Sequence, residues 1–242
     1  MIVAIYLTMT FLVGYLIGNI NFARIFTKIF AHEDITKLGS GNPGTMNMLR
    51  TQGFGPAFLT LIFDAVKCGA PALGAYFLFE TYFPGFGNFA FFLCSFGAVI
   101  GHIYPVLYKF KGGKGVACCF GMFIFHPTLW WVALATFACA FVAFFFIQYP
   151  FIISFMFLTA LSVYSTVIFT VRQITWYSII LGIIWLNFAL IVFMHRGNLR
   201  RLFLGQENRV NFAEKVFKRH FEKKKLANAT KVNLSQETEE IK

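Results

Sequence analysis

Long apolar runs alternate with short polar stretches along this chain of 242 residues. The first run, near residues 2 to 24, gives way to a polar loop at 25 to 53. Two more, near 54 to 79 and 86 to 108, are parted by the turn Phe83-Pro84-Gly85. Crossing a bilayer takes roughly 20 apolar residues, and in lipid every backbone N–H and C=O must be satisfied within the protein, so each run predicts a transmembrane helix. Within the region from 112 to 195 the uncharged run is too long for two such spans and about right for three. Proline lacks a donor and disfavours helix in the residue before it, so His126-Pro127 and Gln148-Tyr149-Pro150 divide this region. A last span follows Arg172-Gln173, near 175 to 195. The pattern predicts an all-α, polytopic membrane bundle of seven helices, the fourth short and either tilted or partly sheltered by protein.

Composition supports that reading. Hydrophobic residues make up 58% and charged residues 13%, and Gly115 to Val171 contains no Asp, Glu, Lys or Arg. Mean hydropathy is +0.67. Soluble domains carry about a quarter charged residues, so no water-soluble core explains this run. The net charge of +11 brings nucleic acid into view, yet no basic fold motif accompanies it. The cations instead lie between apolar stretches and toward the end of the chain, which follows the positive-inside rule and sets nucleic acid aside as a partner.

Charge also orients the bundle. Arg24, Lys28, Lys37 and Arg50 flank one polar loop and Lys109, Lys111 and Lys114 another, which puts both loops in the cytoplasm. Four further crossings return the chain to the same side at His195, with the N-terminus outside and the C-terminus cytoplasmic. Residues 1 to 23 are uncharged and precede Arg24 and Lys28, the reverse of a cleaved signal peptide, so the first span is expected to stay. The membrane domain is expected over 1–208. The tail, 209–242, is read as a surface helix fading into disorder, without chemistry, its lysines suited to anionic headgroups. Cys68, Cys94, Cys118, Cys119 and Cys139 show no C-x-x-C spacing and read as packing residues, with no metal site among them.

Three polar clusters fall on the same face. In the first, Gly39 to Arg50, glycines that let backbone N–H groups converge accompany Ser40, Asn42, Asn47 and Arg50, as in an anion nest, although a turn would use the same residues. The second, Gly101 to Gly115, surrounds Lys114 with Gly112, Gly113 and Gly115 ahead of a helix N-terminus. It suits phosphate, or equally a positive-inside anchor, and its spacing is not that of a Walker A loop. His102 sits where a satisfied core histidine would also sit. The third, His195 to Glu207, sets cations beside an acid and fits either an acidic metabolite or a basic collar. Asp64 and Lys67, at i and i+3 of one helix, read as a structural ion pair near the site rather than as catalysts.

Together these clusters resemble the acyl-phosphate:glycerol-3-phosphate acyltransferase family, PlsY. Its first signature is matched by Gly39, Ser40, Gly41, Asn42, Gly44, Asn47 and Arg50, with Met46 where threonine is usual and Thr45 beside it. Its second is matched by Gly101, His102, Pro105, Phe110 and Gly112 through Ala117, with Cys118 in place of a small hydroxyl residue. Its third is matched by His195, Asn198, Arg201, Gly205 and Glu207, and the Asp64 and Lys67 pair also fits.

The resemblance implies transfer of a fatty acyl group from acyl phosphate to sn-glycerol 3-phosphate, yielding lysophosphatidic acid and phosphate. It implies a bacterial inner-membrane enzyme facing the cytoplasm, without cofactor or metal, whose partners include the bilayer and the soluble enzyme that supplies acyl phosphate. Ser40, Asn42, Lys114, His195, Asn198 and Glu207 are then the expected catalytic residues. Gly41, Gly44, Thr45, Asn47, Arg50, His102, Gly112, Gly113, Gly115, Arg201 and Gly205 are expected to bind substrate. A phosphate oxygen of the donor is the expected base, with His195 and Glu207 as protein alternatives. A transporter of phosphorylated metabolites is the competing class, but no internal repeat is evident and the Gly/Lys clusters keep to one face.

Overall fold

The computed structural model describes residues 1–210, and the expected tail from Asn211 onward lies outside them. The described residues contain no strand. Their helices are α1 (Ile2–Gly18), α2 (Phe22–Ala31), α3 (Thr45–Thr51), α4 (Phe54–Tyr82), α5 (Gly87–Ile103), α6 (Val116–Ile124), α7 (Trp130–Phe146), α8 (Pro150–Val171), α9 (Tyr177–Met194) and α10 (Arg196–Phe203), with 3₁₀ turns at Ile35–Lys37 and Val106–Tyr108.

Among the described residues, five segments are long and apolar enough to cross a membrane: Ile2–Ala31, Phe54–Tyr82, Gly87–Tyr108, Pro150–Val171 and Tyr177–Met194. The expected count of seven is therefore met only in part. α7 has 17 residues and α6 only nine, about 14 Å of helix. Even so, α6 links the two ends of α5. Gly113, just ahead of it, donates its N–H to His102 O near the C-terminus of α5, and His126, just after it, pairs with Asn88 near the N-terminus. Its sides are covered by α4, α5, α7 and α8, and Cys118, Cys119, Gly121, Met122 and Phe123 are buried.

The first apolar run is not one straight helix. α1 stops at Gly18 because two asparagines interrupt it. Asn19 donates its amide back to Tyr15 O at 2.6 Å, and Asn21 caps α2 by accepting from Arg24 N at 2.9 Å. α1 buries only Gly14 and Gly18 and turns Ile5, Met9, Leu12, Val13 and Leu16 outward, as a helix facing lipid does. Its Gly14-x-x-x-Gly18 seam meets Gly97-x-x-x-Gly101 of α5 so closely that a Cβ on any of the four would collide with backbone of the other helix. Small residues at this spacing let membrane helices approach through their backbones, where packing rather than water expulsion holds them.

Two cores result. The larger joins α4, α5, α6, α8 and α9 around Phe91, Phe92, Phe123, Leu161 and Ile184. The smaller lies under the polar loops and combines Ala23, Ile35, Met48, Leu49, Ala57, Phe144, Ile153 and Val210. Val210 reaches it because residues 204 to 210 cross to the α7–α8 corner, where Val210 N bonds to Gln148 O at 2.8 Å.

Candidate active site

The three polar clusters meet at one end of the bundle, each held by its own sequence. In the first, Asn47 of α3 gathers the preceding loop: its Oδ1 accepts from Ser40 N at 2.9 Å and its Nδ2 donates to Leu38 O and Ile35 O. Gly41 takes the left-handed φ of +71° that closes this turn. Asn21 donates to Pro43 O at 3.1 Å and ties the loop to the break after α1. In the second, Gly112 N and Gly113 N bond to Ile103 O and His102 O, folding the Lys109–Gly115 segment back over the end of α5.

The third cluster closes on the second. Lys114 Nζ donates to Asn198 Oδ1. Asn198 Nδ2 donates in turn to Glu207 Oε1 at 2.6 Å, and Glu207 Oε2 accepts from Arg201 Nε at 2.7 Å. Because Glu207 takes the N–H side of the Asn198 amide, the carbonyl side must face Lys114. Burial lowers the Lys114 pKa to about 8, helped by Arg201 and Arg50 and opposed by Glu207. Burial, and next the Lys114 charge, lower His195 to about 4, so its ring is neutral near pH 7. Its Nδ1 lies 2.8 Å from the Ile191 carbonyl, which only accepts, so Nδ1 carries the proton and Nε2 has a free lone pair.

A cavity of about 630 Å³ joins these groups. Its polar part is bordered by Ser40, Asn42, Gly44, Thr45, Asn47, Arg50, Asp64, His102, Lys114, Gly115, His195, Asn198 and Glu207. From there it runs between α4 and α7 along Phe54, Phe58, Leu61, Phe137, Phe141 and Phe144. One space thus offers anion-binding groups at one end and an apolar slot at the other. Residues 8–205 match the family model for glycerol-3-phosphate acyltransferase.

The chain belongs to that family. It is 36% identical over 201 residues to a glycerol-3-phosphate acyltransferase of Rhodopseudomonas palustris (strain BisB5), covering 81% of this chain and 92% of that one. It is 35% identical over 199 residues to one of Francisella tularensis subsp. novicida (strain U112), covering 81% and 89%. Among solved structures, PlsY, an integral membrane glycerol 3-phosphate acyltransferase, in its glycerol 3-phosphate form superposes with a TM-score of 0.72 at 28% identity, covering 88% of this chain and 99% of that chain. The lysophosphatidic acid form gives 0.69 at 29% identity.

Of the site residues expected for such an acyltransferase, twelve border the cavity, while Gly41, Gly112, Gly113, Arg201 and Gly205 shape the loops or partner residues around it. Asp64 also reaches the cavity, pairing with Lys67 at 2.6 Å. Cys118 Sγ lies within 4.8 Å of Asp64 and His102, but the Lys67 ammonium bridges that carboxylate and that ring, so the group is filled by a cation the chain supplies. Sequence reasoning missed Asn19, Asn21 and the 204–210 crossing. The asparagines carried a signal, as polar residues in an otherwise apolar run, whereas nothing in the sequence pairs Val210 with Gln148.

Proposed function

We infer that this chain transfers a fatty acyl group from acyl phosphate to the hydroxyl of sn-glycerol 3-phosphate. The observation that carries the inference is the two-ended cavity: cationic and amide groups converge where two phosphates must meet, beside an aromatic slot suited to an acyl tail. An acyl phosphate is already activated, so the protein's task is to hold both phosphates and polarise the carbonyl. Ser40, Asn42 and the Lys114 loop, with Gly41, Gly44, Thr45, Gly112, Gly113 and Gly115, hold the donor. Arg50, His195, Asn198 and Arg201 engage glycerol 3-phosphate, and Asn47 and Gly205 keep the loops in shape.

The glycerol oxygen bonds to the acyl carbonyl carbon, the bond from that carbon to the phosphate oxygen breaks, and the hydroxyl proton ends on the departing phosphate. Both oxygens of Glu207 are engaged by Asn198 and Arg201, which makes it an orienting group rather than the base. The lone pair on His195 Nε2 remains free to accept the hydroxyl and aim it.

In the membrane, α1, α4, α5, α6, α7, α8 and α9 form seven crossings of a domain spanning residues 1–208, with the N-terminus outside and the site at the cytoplasmic face of a bacterial inner membrane. The acyl phosphate then arrives from a soluble enzyme on that side. Purified protein given acyl phosphate and glycerol 3-phosphate should form lysophosphatidic acid. An efficient reaction with acyl-CoA or acyl-carrier protein instead would overturn the donor assignment. Lys114→Ala and Asn198→Ala should each lower turnover by roughly 10- to 1,000-fold, as loss of a charged or oxyanion-type donor does, and wild-type rates in both would sink the site.

A further inference from the structure

Beneath the Gly112–Gly115 loop, Lys67 of α4 is almost fully buried, and three groups surround its ammonium. Asp64 Oδ1 lies 2.6 Å away, Ile20 O in the break after α1 lies 2.5 Å away, and His102 Nδ1 of α5 lies 2.9 Å away. An ammonium has three protons and no lone pair. One proton goes to Ile20 O and the Asp64 carboxylate balances the charge as an ion pair, while the ammonium, which can only donate, also meets Nδ1, which must therefore be the bare nitrogen of the ring. The proton of His102 is thereby placed on Nε2.

That nitrogen has no hydrogen-bond partner among the described residues, and the ring borders the cavity. It lies against Gly113, where a Cβ would strike Nε2, so only glycine lets the ring reach this position one residue from Lys114. His195, on the same cavity, is held the opposite way, with Nδ1 donating and Nε2 accepting. One histidine is thus set as a donor and the other as an acceptor, each by a group outside the cavity.

We propose that Lys67 is a positioning residue that fixes His102 as its Nε2–H tautomer, so that a neutral, directed donor faces the phosphate of the acyl donor beside Lys114. With the opposite tautomer a lone pair would face that anion and repel it. The proposal rests on the acyl-transfer reading above for the identity of the phosphate, but the tautomer itself does not.

The full chain, labelled with ¹⁵N-histidine in bilayers, tests it by NMR, with the His102 signals identified by their loss in His102→Gln. Wild type should show Nδ1 unprotonated and Nε2 protonated. In Lys67→Met the Asp64 carboxylate, 3.6 Å from Nδ1, faces the ring alone, and a proton should appear on Nδ1. A protonated Nδ1 in wild type, or an unchanged ring in Lys67→Met, overturns the proposal even if acyl transfer is confirmed.

The second arm needs no change to the buried ion pair. Glutamine at 102 can place an amide N–H near the Nε2 position and asparagine cannot reach it. His102→Gln should therefore exceed His102→Asn in kcat/KM for acyl phosphate by roughly 10- to 100-fold, the worth of one hydrogen bond to a charged group, with KM for glycerol 3-phosphate similar in the two. Equal losses in both variants overturn the role. Absence of acyl transfer in wild type would instead refute the substrate assignment and leave the tautomer result standing.

Discussion

At Lys114 the proposed chemistry turns on a single proton. Arg201, Arg50, His195, Asn198 and Glu207 face its ammonium, and the proposed role as a phosphate holder requires the charged form. Because its pKa is lowered to about 8, that form is lost as pH rises through about 8 in the free enzyme. The ratio kcat/KM should therefore fall above about pH 8, while kcat, measured with phosphate bound, should hold to higher pH. The acid limb is uninformative, since a substrate phosphate titrates near ~6. Glu207→Gln removes the negative charge that raises Lys114 and the charged acceptor that orients Asn198. It should cost roughly 10- to 100-fold in kcat/KM and move the alkaline limb downward. An unmoved limb would break the link from Glu207 to Lys114. Much of this was legible beforehand: the residue types, their order and their common face came from three motifs. What was not legible is who holds whom. Lys114 and Asn198 are 84 positions apart, and Glu207 entered as a candidate base before its two oxygens proved occupied.

Helices repeat the lesson at larger size. Hydropathy found every long helix, and proline correctly marked the turn at His126 and the start of α8, yet Pro71 sits inside α4 without ending it. Length alone misjudged the first run, because Asn19 and Asn21 satisfy backbone groups locally and allow a break that apolar side chains would not. The α1–α5 seam was not foreseen either, although Gly14, Gly18, Gly97 and Gly101 stand at the required spacing. It yields a direct prediction. A methyl group added in Gly97→Ala would meet the backbone carbonyl of Phe11, so the helices must separate. The variant should lose about 1–3 kcal/mol, as overpacked sites do, seen as a lower thermal midpoint in detergent. Leu16→Ala, on the exposed side of α1, should change it little. Equal midpoints for Gly97→Ala and wild type would show that the seam does not hold α1.

Taken whole, the molecule has two unlike ends. One gathers the three polar loops, with Arg24, Lys28, Lys37, Arg50, Lys109, Lys111, Lys114, Arg196, Arg200, Arg201 and Arg209. The other is made of the turns near Phe83–Phe86, His126–Leu129 and Arg172–Trp176, joined by the tilted ring contact of Phe86 with Trp176 and the bond from His126 to Asn88, and its turns carry Arg172 as their single cation. Loops rich in Lys and Arg resist translocation, so this asymmetry predicts that the end with the polar loops stays in the cytoplasm. The consequence can be measured in intact cells with a membrane-impermeant thiol reagent. Cys68, Cys94, Cys118 and Cys119 are buried and Cys139 is exposed, so the reporter background is Cys139→Ser. In it, Gln173→Cys should label from outside, whereas Lys111→Cys should label only after the cells are opened. The reversed pattern would put the cavity on the wrong side for a cytoplasmic acyl donor. Labelling of both positions from outside would mean that an odd number of crossings does not separate residue 111 from residue 173, and would return α6 to a buried turn rather than a crossing.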